Sequence, residues 1–419
     1  MTVTRLGQEV DALALDLASS LWAELGVDGA ARRHDWQAID LEPLIIFTAQ
    51  LGGADSRLRA STIDWCITNA RFASAFRLRH LAERASAGAR EVFGRYAATV
   101  RAHAKAPWPG QGDPLPLFHP ERIGSPDLRR PSLVQLRLRA LVGVSARAEI
   151  LRLMLGDPER PQSASTLAED AAYGKGSVAQ ALEMLTMAGI VQVQPHANRL
   201  LYRLARPGEL AQALQWLPAV YPDWWPIFVV VEALIDYARS APSAAPARLA
   251  ALQKLLQRID RELHRLGVAE HVPRAVVPAS VAEFEHWALD FLSEQSGHTQ
   301  AAGTTRDVSY VIHHLSFGGW LGTINVAGRQ PRPFASEHGH LEEATGAAEL
   351  AYLMFRNVIG KPHRGRVAAL ADDALLQVIS REFAEELVRP MRTGQEATFT
   401  AEFVRRWHKN RRQRFGATA

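Results

Sequence analysis

Cysteine is almost absent: Cys66 stands alone in 419 residues, so no internal disulfide can form and no thiolate metal site can be built from the chain. Long apolar runs are missing too. The best candidate, Ile227 to Ile235, is far shorter than the ~18 residues of a membrane span and contains Glu232. The opening residues, Met1 to Glu9, lack the charged-then-apolar pattern of a signal peptide, and a cytoplasmic location is expected. There is no Walker phosphate loop, no HExxH, no GxSxG and no GxGxxG after a strand, so neither an enzyme nor a cofactor is expected. A strong excess of one charge is also lacking: the net charge is +4, although arginine outnumbers lysine enough to put the pI near 9.4. Overall charge therefore says little about a polyanionic partner, and local distribution says more. Between Arg122 and Arg147 lie Arg129, Arg130, Arg137 and Arg139 against Asp127 alone, and after Glu402 the tail carries Arg405, Arg406, Lys409, Arg411, Arg412 and Arg414 with no acid. These two clusters are where a polyanion would be felt first.

What is present is a patterned stretch from Ala146 to Leu204. Ile150, Leu153, Met154 and Leu155 fall at helical spacing, a Pro/Ser-rich break follows, and Leu167, Ala168 and Ala171 mark a second short helix. Tyr173-Gly174-Lys175-Gly176 reads as a tight turn. Val178, Leu182 and Leu185 then give a third helix one apolar face, ended by Ala188-Gly189. Ile190, Val191 and Val193, a turn at Pro195 to Asn198, and Leu200, Leu201, Tyr202 and Leu204 read as a two-stranded hairpin. Helix, helix, turn, helix, hairpin is the order of a winged helix-turn-helix.

The stretch resembles the winged-helix bacterial transcription regulators of the ArsR and MarR groups. The resemblance rests on Arg147 with Ile150-Leu151 and Met154, Leu167-Ala168, Val178 with Leu182 and Leu185, Ala188-Gly189-Ile190-Val191, and Tyr202 with Leu204. It covers residues 146–204 only. It implies that the third helix enters a major groove with its N-terminal end, so that Lys175, Ser177 and Gln180 meet bases or phosphate, while Asn198 and Arg199 at the wing tip meet backbone or minor groove. The third helix departs from the usual pattern in being poor in basic residues and in carrying Glu183. A cysteine-based metal sensor is excluded, because Cys66 lies outside the stretch.

The fold expected is mainly α: a central winged helix-turn-helix with a small β-hairpin wing, flanked by two helical domains. Residues 1–106 read as an N-terminal helical domain, with Val10, Leu13, Leu17 and Leu21 opening an amphipathic run and the apolar Leu41 to Leu51 following. Seven prolines in 107–131 mark a linker or surface strap. The winged domain takes 132–206, a further helical domain 207–300, and a helical region with a basic tail 301–419. Within 301–419, Val308 to Leu315 is readable as strand or helix. The paired Trp224 and Trp225, between Pro222 and Pro226, read as a packed inter-helix corner rather than a stacking platform.

The function expected is double-stranded DNA binding by a bacterial transcriptional regulator, as a homodimer whose flanking domains supply dimerisation and contacts to a small effector or a protein partner. The tail cations from Arg405 to Arg414 are candidate phosphate contacts. The alternative is a non-enzymatic adaptor, antitoxin-like or part of a defence system, that docks protein on its winged helix. An enzyme with a metal at Glu337, His338, His340, Glu342 and Glu343, with His313 and His314 upstream, is a weaker reading, because HxH is common and the chain holds 15 histidines; no metal is expected.

Overall fold

Apolar residues at helical spacing shape the first element: α1 (Val3–Glu24) buries Leu6, Val10, Ala14, Leu17 and Leu21 along one face. The computed structural model describes residues 3–34, 37–117, 125–158, 160–196, 198–215, 217–218, 220–296, 308–315, 320–326, 332–333, 346–359, 376–400, 403–404 and 407. Across these the chain is mainly helical, with a three-stranded and a four-stranded antiparallel sheet. It divides into two units, residues 1–206 with 221–300, and residues 207–220 with 301–419.

In the first unit α2 (Leu41–Leu51) is buried along almost its whole length. Around it lie α3 (Ser56–Thr68), capped by Asp55, whose carboxylate accepts from Arg57 and Leu58 backbone N–H groups at 2.9 and 3.0 Å, α4 (Ala75–Arg84) and α5 (Ala87–Ala104). Residues 107–117 run over α5 as a strap. The Gln111 N–H bonds the Gly94 carbonyl at 2.9 Å and the Leu115 N–H bonds Thr99 Oγ1 at 2.8 Å. A Cβ at Gly110 would lie 2.5 Å from the Ala98 backbone, so only glycine lets the strap come this close.

After the strap come α6 (Val134–Val142), α7 (Ala146–Gly156), β1 (Gln162–Ser163), α8 (Ala164–Ala171), α9 (Lys175–Met187), β2 (Val191–His196) and β3 (Arg199–Leu204). The strands pair in the order β1-β3-β2. Chain order continues with α10 (Pro207–Leu214), which belongs to the second unit, and then α11 (Trp224–Ser240), α12 (Ala245–Arg265) and α13 (Ser280–Gln295), which return to the first. Where the sequence suggests separate helical domains at 1–106 and 207–300, one core joins them. Phe47 stacks on Phe228 at 4.4 Å, and the buried Trp224 donates its indole N–H to the Ala38 carbonyl at 2.7 Å.

The second unit corrects the expectation of a helical region at 301–419 and resolves Val308 to Leu315, readable as strand or helix, as strand. β4 (Val308–His314), β5 (Trp320–Val326), β6 (Arg332–Pro333) and β7 (Glu396–Thr400) form an antiparallel sheet in the order β6-β5-β4-β7, and α14 (Gly346–Ile359) shares its core. Tyr310 and Ile312 enter the core of this unit and Val311 between them is buried too, so it is pairing with β5 and β7, more than alternation of burial, that makes this segment a strand. Phe383, in the helical residues 376–383, makes edge contacts with Phe355, Phe399 and Trp407 at 5.1, 4.9 and 5.3 Å.

Candidate nucleic-acid interface

Helix α9 owes its placement to its two ends. Ala172, in the left-handed region at φ 53°, turns the chain out of α8, and α9 begins at Lys175, within the four-residue turn read from the sequence at 173–176. At its far end Gly189 adopts φ 70°, and the Ile190 N–H bonds the Leu185 carbonyl at 3.0 Å, the 6→1 closure of a Schellman motif. Val178, Ala181, Leu182 and Leu185 are buried against the rest of the segment. Burying each large side chain contributes about 1.5 to 3 kcal/mol, enough to settle which face points inward.

The outward face is thereby defined. Lys175, Ser177 and Gln180 are all exposed, as are Glu183, Met184 and Met187. In the hairpin, Val191 pairs with Leu204, Val193 with Tyr202 and His196 with Arg199, so the connection is the two residues 197 and 198. Asn198 and Arg199 are exposed at the tip, and Arg203 faces Gln192 further down. The structure therefore puts Lys175, Ser177 and Gln180 together on one helix and Asn198 with Arg199 on the hairpin tip. Arg405, Arg406, Lys409, Arg411, Arg412 and Arg414 lie outside the described residues, as do Glu337, His338, His340, Glu342 and Glu343. His313 lies 3.3 Å from Glu396, and His314 is buried and stacked on Trp320 at 4.0 Å. Among the described residues no three His, Cys, Asp or Glu side chains cluster as metal ligands.

The arginine cluster before α7 is mostly turned to internal use. Arg129 pairs with Asp127 at 3.0 Å and Arg130 with Glu24 at 2.5 Å. Arg139 belongs to a buried network of three arginines and three carboxylates that sequence reasoning missed. Its guanidinium reaches Glu42 and Glu149 at 2.6 Å each and the Phe72 carbonyl at 2.6 Å. Arg77 meets Asp40 at 2.6 Å, touches Glu42, and donates to the Ala171 carbonyl at the end of α8 at 2.8 Å. Arg152 completes the set on Asp40 and Glu149 at 3.0 Å each, and the Gln135 amide donates to both carboxylates. Burial pushes the Asp40 and Glu149 carboxyls up, but the facing arginines outweigh it and hold both well below the usual carboxylate range. Charges balance three to three, which is what makes their burial tolerable. The network bonds α7 and the end of α8 to α2, α4 and α6.

Two hollows flank the segment. One, of about 240 Å³, is lined by Arg84, Arg152, Asp170, Asp223 and Arg265. Its charges largely answer each other: Arg265 pairs with Asp170 at 2.8 Å and with Asp223, and Arg152 belongs to the network. The other, of about 680 Å³, is lined by aromatic and apolar side chains together with Ser74, Ser145, Arg147, Ser177 and Gln180.

Compared with known proteins, the chain matches no family model, no curated protein and no solved structure. No helix among the described residues is long and apolar enough to cross a membrane.

Proposed function

We propose that residues 146–204 form a winged helix-turn-helix that binds double-stranded DNA, and that the protein is a transcriptional regulator acting as a homodimer. The observation that carries this reading is the order α7, β1, α8, α9, β2, β3 with the sheet arranged β1-β3-β2, which leaves the start of α9 and the hairpin tip exposed. In that reading α9 enters the major groove. Gln180 reads a base edge, Lys175 and Ser177 meet phosphate or a base, and Arg199 with Asn198 follows the backbone beside them. A duplex site with two-fold symmetry suits two copies.

Fluorescence anisotropy of labelled duplexes at about 50 and about 200 mM salt tests it, using the DNA upstream of the coding sequence against random duplex. The reading expects a preference for the upstream duplex that persists at the higher salt. Binding that vanishes with salt and shows no preference would contradict it.

A protein-docking role has one observation in its favour. Met184 and Met187 on α9 are 49% and 76% exposed, and Val193 and Leu200 on the hairpin are 40% and 51% exposed, whereas Lys175 is the only cation on α9. No duplex binding at either salt would favour this adaptor reading.

A further inference from the structure

We propose that Tyr173 is a positioning residue for α9: clamped by the start of α4, it fixes the turn between α8 and α9, so that the helical core sets the pose of the reading helix. The positioning of DNA contacts rests on the DNA-binding reading above. Every residue of the clamp lies within the first unit.

The start of α9 has little local means of fixing itself. Its N-cap is Gly174, which has no side chain to accept from the N–H groups of the first turn, and the Val178 N–H bonds the Gly174 carbonyl at 3.1 Å. Just before it Ala172 holds φ 53° and ψ 45°, a left-handed conformation that costs a non-glycine residue free energy and persists only where the surroundings over-determine it.

Those surroundings come from the start of α4. Arg77 Nε donates to the Ala171 carbonyl at 2.8 Å on one side of Ala172, and on the other the Tyr173 hydroxyl and Ser74 Oγ share a hydrogen bond of 2.8 Å. The Tyr173 ring stacks on Phe76 at 5.1 Å and 12°, and a Cβ at Gly174 would lie 3.9 Å from the Phe76 ring, so Phe76 also reaches the N-cap. Ser74 is itself held: its N–H donates to Glu42 Oε1 at 2.7 Å, and its Oγ accepts from the Arg77 N–H at 3.2 Å. The clamp is therefore continuous with the ionic network, to which Glu42 and Arg77 belong.

Lys175, Ser177 and Gln180 follow Tyr173 on one stiff helix, so a small rotation at the turn displaces all three together. Contacts to a base edge need placement to within about 0.5 Å, whereas general attraction to phosphate does not. Loosening the clamp costs discrimination between duplexes more than affinity for all of them.

The test uses the full chain with Tyr173→Phe, which removes the hydroxyl and keeps the stacked ring, and Phe76→Ala, which removes the ring partner at a position 43% exposed. Backbone hydrogen exchange is read first, without DNA. The amides of residues 178–181 are expected to exchange about fivefold faster in Tyr173→Phe and about tenfold faster in Phe76→Ala, with those of α5 unchanged. Kd for the preferred duplex is expected to rise by similar factors, with Kd for random duplex staying within about twofold. Unchanged exchange at 178–181, or exchange that quickens equally in α5, overturns the clamp. Faster exchange with an unchanged ratio of the two Kd values overturns the positioning role. If exchange quickens as expected while the native chain binds no duplex at any salt, the clamp stands, and the DNA-binding reading falls and takes the positioning of contacts with it.

Discussion

Arg139 Nη2 and Glu149 Oε1 lie 2.6 Å apart with both side chains sealed from solvent, and this contact joins α6 to α7 across a connection of three residues. Glu149 also accepts from Arg152 at 3.0 Å, and Arg139 also serves Glu42, so neither residue's charge is met by one partner alone. The segment proposed to contact DNA is thus held by a neutral ionic lattice as well as by apolar packing.

Replacing Arg139 by Met leaves three buried carboxylates facing the two arginines Arg77 and Arg152, one negative charge in excess. The expected loss is about 3 to 5 kcal/mol of stability, read from urea unfolding. Arg139→Met with Glu149→Met should lose less than the two single losses added, because removal of both partners leaves less uncompensated charge. A single-variant loss under about 1 kcal/mol would show that the network is not organised as described.

Buried His34 bonds Ser20 Oγ and Gln37 Oε1 at 2.8 Å each, and burial lowers its pKa to about 4 against the opposing pull of the Gln37 hydrogen bond and Glu24. The unfolded chain therefore binds the proton first. The stabilising contribution is complete above pH ~6.5 and is lost as pH falls towards 4, by about 3 kcal/mol in total. Urea midpoints at several pH values in that interval should fall steeply for the native chain and less steeply for His34→Gln. Parallel slopes would remove His34 as the cause. The low carboxyls of Asp40 and Glu149 add a separate loss below this window, as pH falls through their own folded values.

Gln180 lies on the exposed side of α9, away from Val178, Leu182 and Leu185. Gln180→Ala is expected to relax base preference by about 1 to 3 kcal/mol at one position per half-site while leaving the unfolding midpoint unchanged. Unchanged preference at every position of a substituted binding site would take Gln180 out of the reading set.

Arg199, exposed where the hairpin turns, should act on phosphate. Arg199→Ala is expected to weaken all duplexes about equally and to lower the slope of log K against log salt by roughly one. A loss confined to some sequences would instead assign it to a base edge.

Local patterns made much of this architecture legible before any coordinates. Helix α2 runs from Leu41 to Leu51 as its apolar run indicates, and the α9 face set by Val178, Leu182 and Leu185 is the buried one. The exposed positions of Lys175, Ser177 and Gln180 follow from the same periodicity, and that of Arg199 from the hairpin turn. The ionic network was not legible, because Arg139 finds Glu42 across 97 residues and Arg152 finds Asp40 across 112. Only a leucine-rich helix interrupted by Arg139 and an acid-led α2 hinted at it. Strand β4 stayed ambiguous for a related reason: a short apolar run takes its secondary structure from its partners, here β5 and β7.

Selection of binding sites from a pool of randomised duplexes by the intact protein tests the central claim most directly. The account predicts enrichment of one recurring sequence, arranged as an inverted repeat with half-sites about one helical turn apart, and loss of that enrichment when Lys175, Ser177 and Gln180 are replaced together by alanine in a chain that still folds. A pool that emerges with no recurring sequence, or an enrichment that the triple replacement leaves intact, would contradict it.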